Sequence, residues 1–180
     1  RCRGREYMGE KMNKSQRHLI DAFMEVREKK PLEKISVVEL CKMAEVNKST
    51  FYAYYHDVYD LSDQLQTAAF QKILEEMGDL STIVFNTPKF TRDILRRCIL
   101  EEKDISILFS GSESYKLPQK LYEAIMEVFY HYKPEHVGDM KHQIMMSFKV
   151  YGAYFAMITN QEFDDEEKIH YIGELTGMFK

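Results

Sequence analysis

A chain of 180 residues, 44% hydrophobic and 30% charged, suits one large globular domain or a small domain joined to a larger one. No run approaches the ~20 apolar residues that span a bilayer, and no apolar signal core stands near the amino terminus, so no membrane partner is expected. Three scattered cysteines, Cys2, Cys41 and Cys98, with no CxxC pair, argue against a disulfide framework or a thiolate zinc site and favour a reducing, cytoplasmic setting.

The formal net charge of −4 conceals an asymmetry. Residues 1–50 carry 12 Lys and Arg against eight Asp and Glu, whereas residues 51–180 carry 13 against 21. A basic head on an acidic body directs any polyanionic partner to the head. Only eight Gly and four Pro occur, which favours helices.

In chain order, residues 1–14 read as a basic arm. From Ser15 to Lys29 the apolar residues Leu19, Ile20, Phe23, Met24 and Val26 recur at helical steps, and Pro31 stops that helix. Ser36-Val37-Val38-Glu39 is a Ser-x-x-Glu capping box. It opens a short second helix with Val37, Leu40, Cys41 and Ala44 inward. Glu45-Val46-Asn47 forms a tight turn, in which Ala44 suits the crossing of two helices and Val46 plugs it. Asn47 caps a third helix running from Lys48 to about Tyr55. Asp57 caps a fourth, whose inner face is Leu61, Leu65, Ala68, Ala69 and Ile73. A short pair of helices joined by three residues is a helix-turn-helix arrangement.

The stretch NKSTFYAYYHDVYDL, Asn47 to Leu61, then divides between two roles. Phe51 and Tyr55, four apart, face the first helix. Lys48, Ser49 and Thr50 bring donors to the leading turn, where free backbone N–H groups favour phosphate. Tyr52 and Tyr54 can reach phosphate oxygens through their hydroxyls.

The run I-S-V-V-E-L-C-K-M-A-E-V-N-K-S-T-F-Y-A-Y-Y, Ile35 to Tyr55, resembles the N-terminal domain of TetR-type transcriptional regulators, and so does the D-V-Y-D-L that follows. The resemblance covers about a quarter of the chain. It implies an all-α protein: a three-helix DNA-binding domain over 15–61, then a helical domain over 62–180 that binds an effector and dimerises. Lys48, Ser49, Thr50, Tyr52 and Tyr54 fall on the family's DNA-contacting positions, and Ser36 and Val37 on the start of the helix that abuts the DNA backbone. Two departures stand out. Glu45 occupies the usual glycine of the turn, where a left-handed backbone would cost a non-glycine residue about 1–2 kcal/mol. Val58 stands where many members have a phosphate-touching Lys, which His56 partly replaces when protonated.

Turn signals divide the remainder into helices near 62–78, 88–98, 101–110, 115–132, 138–159 and 165–179. After Gln143 the segment Asp139 to Thr159 is apolar on almost every side, so one face needs a partner. The resemblance implies a homodimer joined through the last two long helices, with Met145, Phe148, Gly152, Ala156, Ile172 and Leu175 expected at the interface. It also implies a cavity for a small apolar or aromatic effector, for which Phe85, Phe90, Phe109, Tyr122, Phe129, Tyr151 and Phe155 are candidate lining residues. The expected partners are therefore a pseudo-palindromic double-stranded DNA site, a second copy of the chain and such an effector. The expected function is a transcriptional regulator, in the first instance a repressor. The alternatives are control by a protein co-regulator, absence of any ligand, or a small helical enzyme or metalloprotein. The six histidines, His18, His56, His131, His136, His142 and His170, include no i, i+4 pair and no HExxH. No metal, cofactor or catalytic residue is expected.

Overall fold

The computed structural model describes residues 12–179. Residues 1–11, most of the expected basic arm, lie outside that range, as does Cys2. Among the described residues every regular element is helical. The α-helices are α1 (Lys14–Arg27), α2 (Val37–Met43), α3 (Lys48–Tyr52), α4 (Val58–Glu76), α5 (Thr82–Phe85), α6 (Thr87–Leu100), α7 (Glu102–Leu108), α8 (Lys116–Tyr132), α9 (Met140–Thr159) and α10 (Asp165–Met178). Short 3-10 turns occupy Leu32–Lys34, Gly111–Glu113 and Pro134–His136. None of these helices is long and apolar enough to cross a membrane.

The chain divides into two compact units. The first combines the residues up to Lys72 with Lys103–Tyr115, and the second combines Ile73–Glu102 with the residues from Lys116 onward. This partition differs from the expected 15–61 and 62–180. The division falls inside α4, and α7 with its following turn belongs to the first unit. The physical reason is a set of bonds with no local sequence signature. Buried Gln66 donates to the Leu108 carbonyl and to Glu113, both at 3.0 Å. Buried Arg27 donates to the Ser110 carbonyl at 2.7 Å. Phe70 and Phe109 pack with ring centroids 5.8 Å apart.

Within the first unit, α3 packs on α1 and α2. Ser36 caps α2, accepting from Glu39 N at 3.2 Å. Glu39 does not complete the expected box, because its carboxylate pairs with Lys30 at 2.5 Å instead. The end of α2 is a Schellman motif, in which Val46 N–H donates to the Cys41 carbonyl (3.0 Å) and Glu45 N–H to that of Lys42 (3.4 Å). Glu45 sits at φ 54°, and no other non-glycine residue described has positive φ. Asn47 caps α3 through Thr50 N at 2.8 Å. Helix α3 ends at Tyr52, short of the expected Tyr55. The chain nevertheless keeps turning there, with Tyr54 N and Tyr55 N both donating to Phe51 O, so Phe51 (0% exposed) and Tyr55 (2%) are both buried. Asp57 caps α4 as expected, accepting from Asp60 N at 2.8 Å. The α4 face of Leu61, Leu65, Ala68, Ala69 and Ile73 is buried throughout.

In the second unit α10 lies close against α6. A Cβ added at Gly177 would stand 2.5 Å from Pro88 Cγ, and one at Gly173 would stand 2.8 Å from Arg92 Cγ and 3.0 Å from Pro88 O. Only glycine admits that approach. Between the two helices the Thr91 and Thr176 hydroxyls hydrogen-bond at 2.9 Å, buried, and Arg96 grips Glu166 with both Nε and Nη2. Leu95, Ile169 and Ile172 form a core against which Ala153, Ala156 and Met157 pack.

Two substitutions test the first unit. Glu45→Gly relieves the left-handed backbone and should raise the unfolding free energy by about 1 kcal/mol, part of the relief being lost to glycine's greater freedom in the unfolded chain; an unchanged or lower denaturant midpoint would show that no strain is held there. Phe51→Ala should lower stability by roughly 3–5 kcal/mol, measured by the same chemical denaturation, and a loss below 1 kcal/mol is incompatible with its burial.

Candidate nucleic-acid interface and ligand cavity

The residues expected to meet DNA lie at the start of α2, on α3 and in the segment that follows α3, all in the first unit. Lys48, Ser49, Tyr52, Ser36 and His56 are exposed, while Val37, Thr50 and Tyr54 are half-buried. Lys48 makes no ion pair or hydrogen bond with any described residue, so its ammonium is free for an outside anion. Tyr52 is 57% exposed, and its ring meets Phe51 edge-on at 5.5 Å.

Three of the expected donors are already engaged. Ser49 Oγ and Thr50 Oγ1 both donate to Asn47 Oδ1, at 2.6 and 2.8 Å. They therefore complete the cap of α3, and reaching a phosphate requires that these bonds exchange. Tyr54 hydrogen-bonds Asn13 through its hydroxyl, which ties it to the start of α1. Tyr55 is buried, accepts from Gln16 at 3.3 Å, and burial pushes its pKa up. Val58, in place of the expected Lys, is buried. Sequence reasoning overlooked Tyr59, which is 48% exposed at the start of α4, and exposed Lys42 on α2. Tyr59 had a legible signal: it lies between buried Val58 and buried Leu61, off the inward stripe.

Two cavities of the second unit bear on a ligand. The smaller, about 40 Å³, is apolar and lies between α6, α8 and α9, with Phe90, Leu121, Ile125 and Val150 among its walls. The larger, about 420 Å³, opens beside Phe85, Phe129, Met145, His136, His142 and Phe179. Its volume is that of a small-molecule site. Lys149 lines both. It is 9% exposed, bonds to no described residue, and desolvation lowers its pKa. Lys149 therefore brings an ammonium with no described counter-ion into the interior of the second unit.

The seven expected cavity aromatics are dispersed. Phe90 lines the small cavity; Phe85 and Phe129 line the large one. Phe109 does not belong with them, because it packs on Phe70 in the first unit. Tyr122 and Tyr151 stack on each other at 5.4 Å and line neither cavity, and Phe155 is 50% exposed.

His136 and His142, two histidines that gave no metal motif in the sequence, line the larger cavity and meet Asp139. His136 leaves the 3-10 turn before α9, Asp139 is the N-cap of α9, and His142 lies in its first turn. Their donor atoms all fall within 4.8 Å of one another. The rings of His136 and His142 stack with centroids 3.6 Å apart. His142 Nδ1 lies 2.9 Å from Asp139 Oδ2, and His136 Nδ1 lies 3.7 Å from the same oxygen. The bond from His142 holds the Asp139 carboxyl below the usual carboxylate range. The spacing i, i+3, i+6 matches no single-helix ligand pattern, because a turn intervenes between the first residue and the helix.

The residues expected at a dimer interface also separate. Ile172 is buried in the core with Leu95 and Ile169, and half-buried Ala156 packs against that core. Met145 faces the larger cavity. Phe148 (68%), Gly152 and Leu175 (37%) are exposed. They belong to an apolar surface on α9 and α10 that also includes Ile144, Phe155, Ile158, Tyr171 and Met178. No family profile matches the chain, and neither a curated protein nor a solved structure is significantly similar to it.

Proposed function

We propose that the protein is a sequence-specific DNA-binding transcriptional regulator of the TetR type, acting as a homodimer and holding a small effector in its second unit. One observation carries this reading. The short helix α3 buries Phe51 on one side and leaves Lys48, Ser49 and Tyr52 exposed on the other, after a left-handed turn, in the arrangement that presents a recognition helix to a major groove. An unpaired Lys, a phenol and an uncommitted Ser36 hydroxyl proton suit phosphate and base-edge contacts.

The exposed apolar surface of α9 and α10 supports pairing. Ile144, Phe148, Phe155 and Ile158 are exposed and follow helical steps along α9, the kind of apolar stripe that marks an interaction surface when it is contiguous. A second copy, meeting the first about a two-fold axis, covers it with the same stripe. Paired heads would then read half-sites about 34–36 Å apart. The cavity of about 420 Å³ supports an effector, and release from DNA needs only about 1–3 kcal/mol of difference in its affinity for the two conformers. Repression is the simplest outcome of such a design.

Selection of bound sequences from a random duplex pool should return a pseudo-palindrome. Lys48→Ala should weaken binding to it by about 1–3 kcal/mol and lower the salt slope by about one if the contact is to phosphate, with the melting temperature unchanged; a pool that shows no enrichment with the unaltered protein would refute the reading. Phe148→Glu should convert the dimer to a monomer in sedimentation equilibrium while the helical circular dichroism persists. A dimer that survives this change does not use the α9 surface.

A further inference from the structure

The rings of His136 and His142 pack on Phe129, with centroids 6.1 and 6.2 Å away, but packing does not require that their nitrogens converge on the Asp139 carboxylate. Capping of α9 needs only Asp139, whose carboxylate accepts from Lys141 N at 2.9 Å. His142 adds a hydrogen bond to Asp139. His136 adds none: its ring nitrogen stands 3.7 Å from Asp139 and hydrogen-bonds to no described residue, while its ring lies flat against that of His142. All three side chains are half-buried, at 26–37% side-chain exposure, and both rings line the cavity of about 420 Å³.

We propose that His136, Asp139 and His142 bind a divalent transition-metal ion of the zinc type, with coordination positions left open toward that cavity. The donor set decides the class of ion. Two imidazole nitrogens and one carboxylate oxygen suit zinc and its neighbours iron, cobalt and nickel, whereas calcium and magnesium prefer oxygen alone. The geometry is close to competent. Metal–ligand bonds of ~2.0–2.2 Å in a tetrahedral site place neighbouring donors roughly 3.3 Å apart, so the present spacing contracts by small rotations of two histidine side chains and one aspartate. Asp139 exchanges its bond with His142 for the ion, and His142 takes the neutral tautomer with its proton on Nε2, which leaves the Nδ1 lone pair for the ion. Three protein donors leave a tetrahedral ion one position for water or a ligand, as in open rather than closed zinc sites. The site extends the proposed function but does not rest on it, since metal binding is measured without DNA.

The test uses the full chain, stripped with a chelator and dialysed, then titrated with Zn2+ by calorimetry and with Co2+ by visible absorption. One ion per chain should bind, with cobalt bands of a low-coordinate site. Asp139→Asn keeps a good N-cap, so the fold is retained while the charged ligand is lost, and affinity should fall about tenfold or more; His136→Ala and His142→Ala should do the same. His131→Ala, at an exposed histidine outside the cluster, should change nothing. Circular dichroism confirms that each variant is folded. Absence of stoichiometric binding by the unaltered chain overturns the proposal, and so does binding that Asp139→Asn and His136→Ala both leave intact.

Discussion

Burial of Phe51 and Tyr55 is the constraint on which the first unit depends. A helix of five residues has almost no stability of its own, since nucleation alone is unfavourable at that length. What holds α3 in place is the removal of two aromatic rings from water against α1 and α2, reinforced by Asn47 at one end and by the turn into α4 at the other. Because the two rings sit four residues apart, the side chains between and before them are forced outward. The exposure of Lys48 and Tyr52 is thus a consequence of packing, and the proposed interface is a by-product of the same geometry that builds the core.

The entry into α3 carries local strain. A Schellman motif needs a left-handed residue after the helix, and the residue present is Glu45 rather than glycine. The surrounding bonds over-determine the turn. Val46 and Glu45 both return hydrogen bonds to α2, and Asn47 Oδ1 accepts from the Thr50 amide and from two hydroxyls. On the proposed reading this has a functional side. The hydroxyls of Ser49 and Thr50 serve the cap in the free protein, so Lys48 and Tyr52 carry the first contacts with a phosphate, and any contribution from Ser49 or Thr50 requires a rearranged cap.

The second unit solves a different problem. Helix α10 spends its small residues on α6: Gly173 and Gly177 let Arg92 and Pro88 come within reach, and the buried threonine pair and the Arg96–Glu166 bridge fix the register. The inner face of α10 is therefore consumed inside the unit, and only its outer edge and the stripe along α9 remain for a partner. Lys149 is the exception within this interior. A desolvated ammonium with no described counter-ion is unfavourable, and it stands at the wall shared by both cavities. Together with His136 and His142, which also line the larger cavity, it makes that cavity a polar, chemically differentiated space rather than a simple apolar pocket.

Local patterns in the sequence determined a good deal. Helical periodicity set the elements, since their apolar stripes depend on nothing beyond the chain's own repeat. Ser36, Asn47, Asp57 and Asp139 are caps because a short polar side chain satisfies amides three residues on or nearer, wherever the helix goes. The inward pair Phe51 and Tyr55 was legible for the same reason, whereas a left-handed Glu45 was suggested only by the glycine that the resembled family has at that position. Tertiary structure decided what depends on residues far apart in sequence. Gln66 and Arg27 draw 103–115 into the first unit and take Phe109 with it. The close contact of α6 and α10 hides Ile172. The turn at Pro134–His136 swings one histidine over another, a meeting that no single-helix spacing encodes. Periodicity reports which side of a helix is apolar; only packing decides whether that side meets its own chain, a cavity or another molecule.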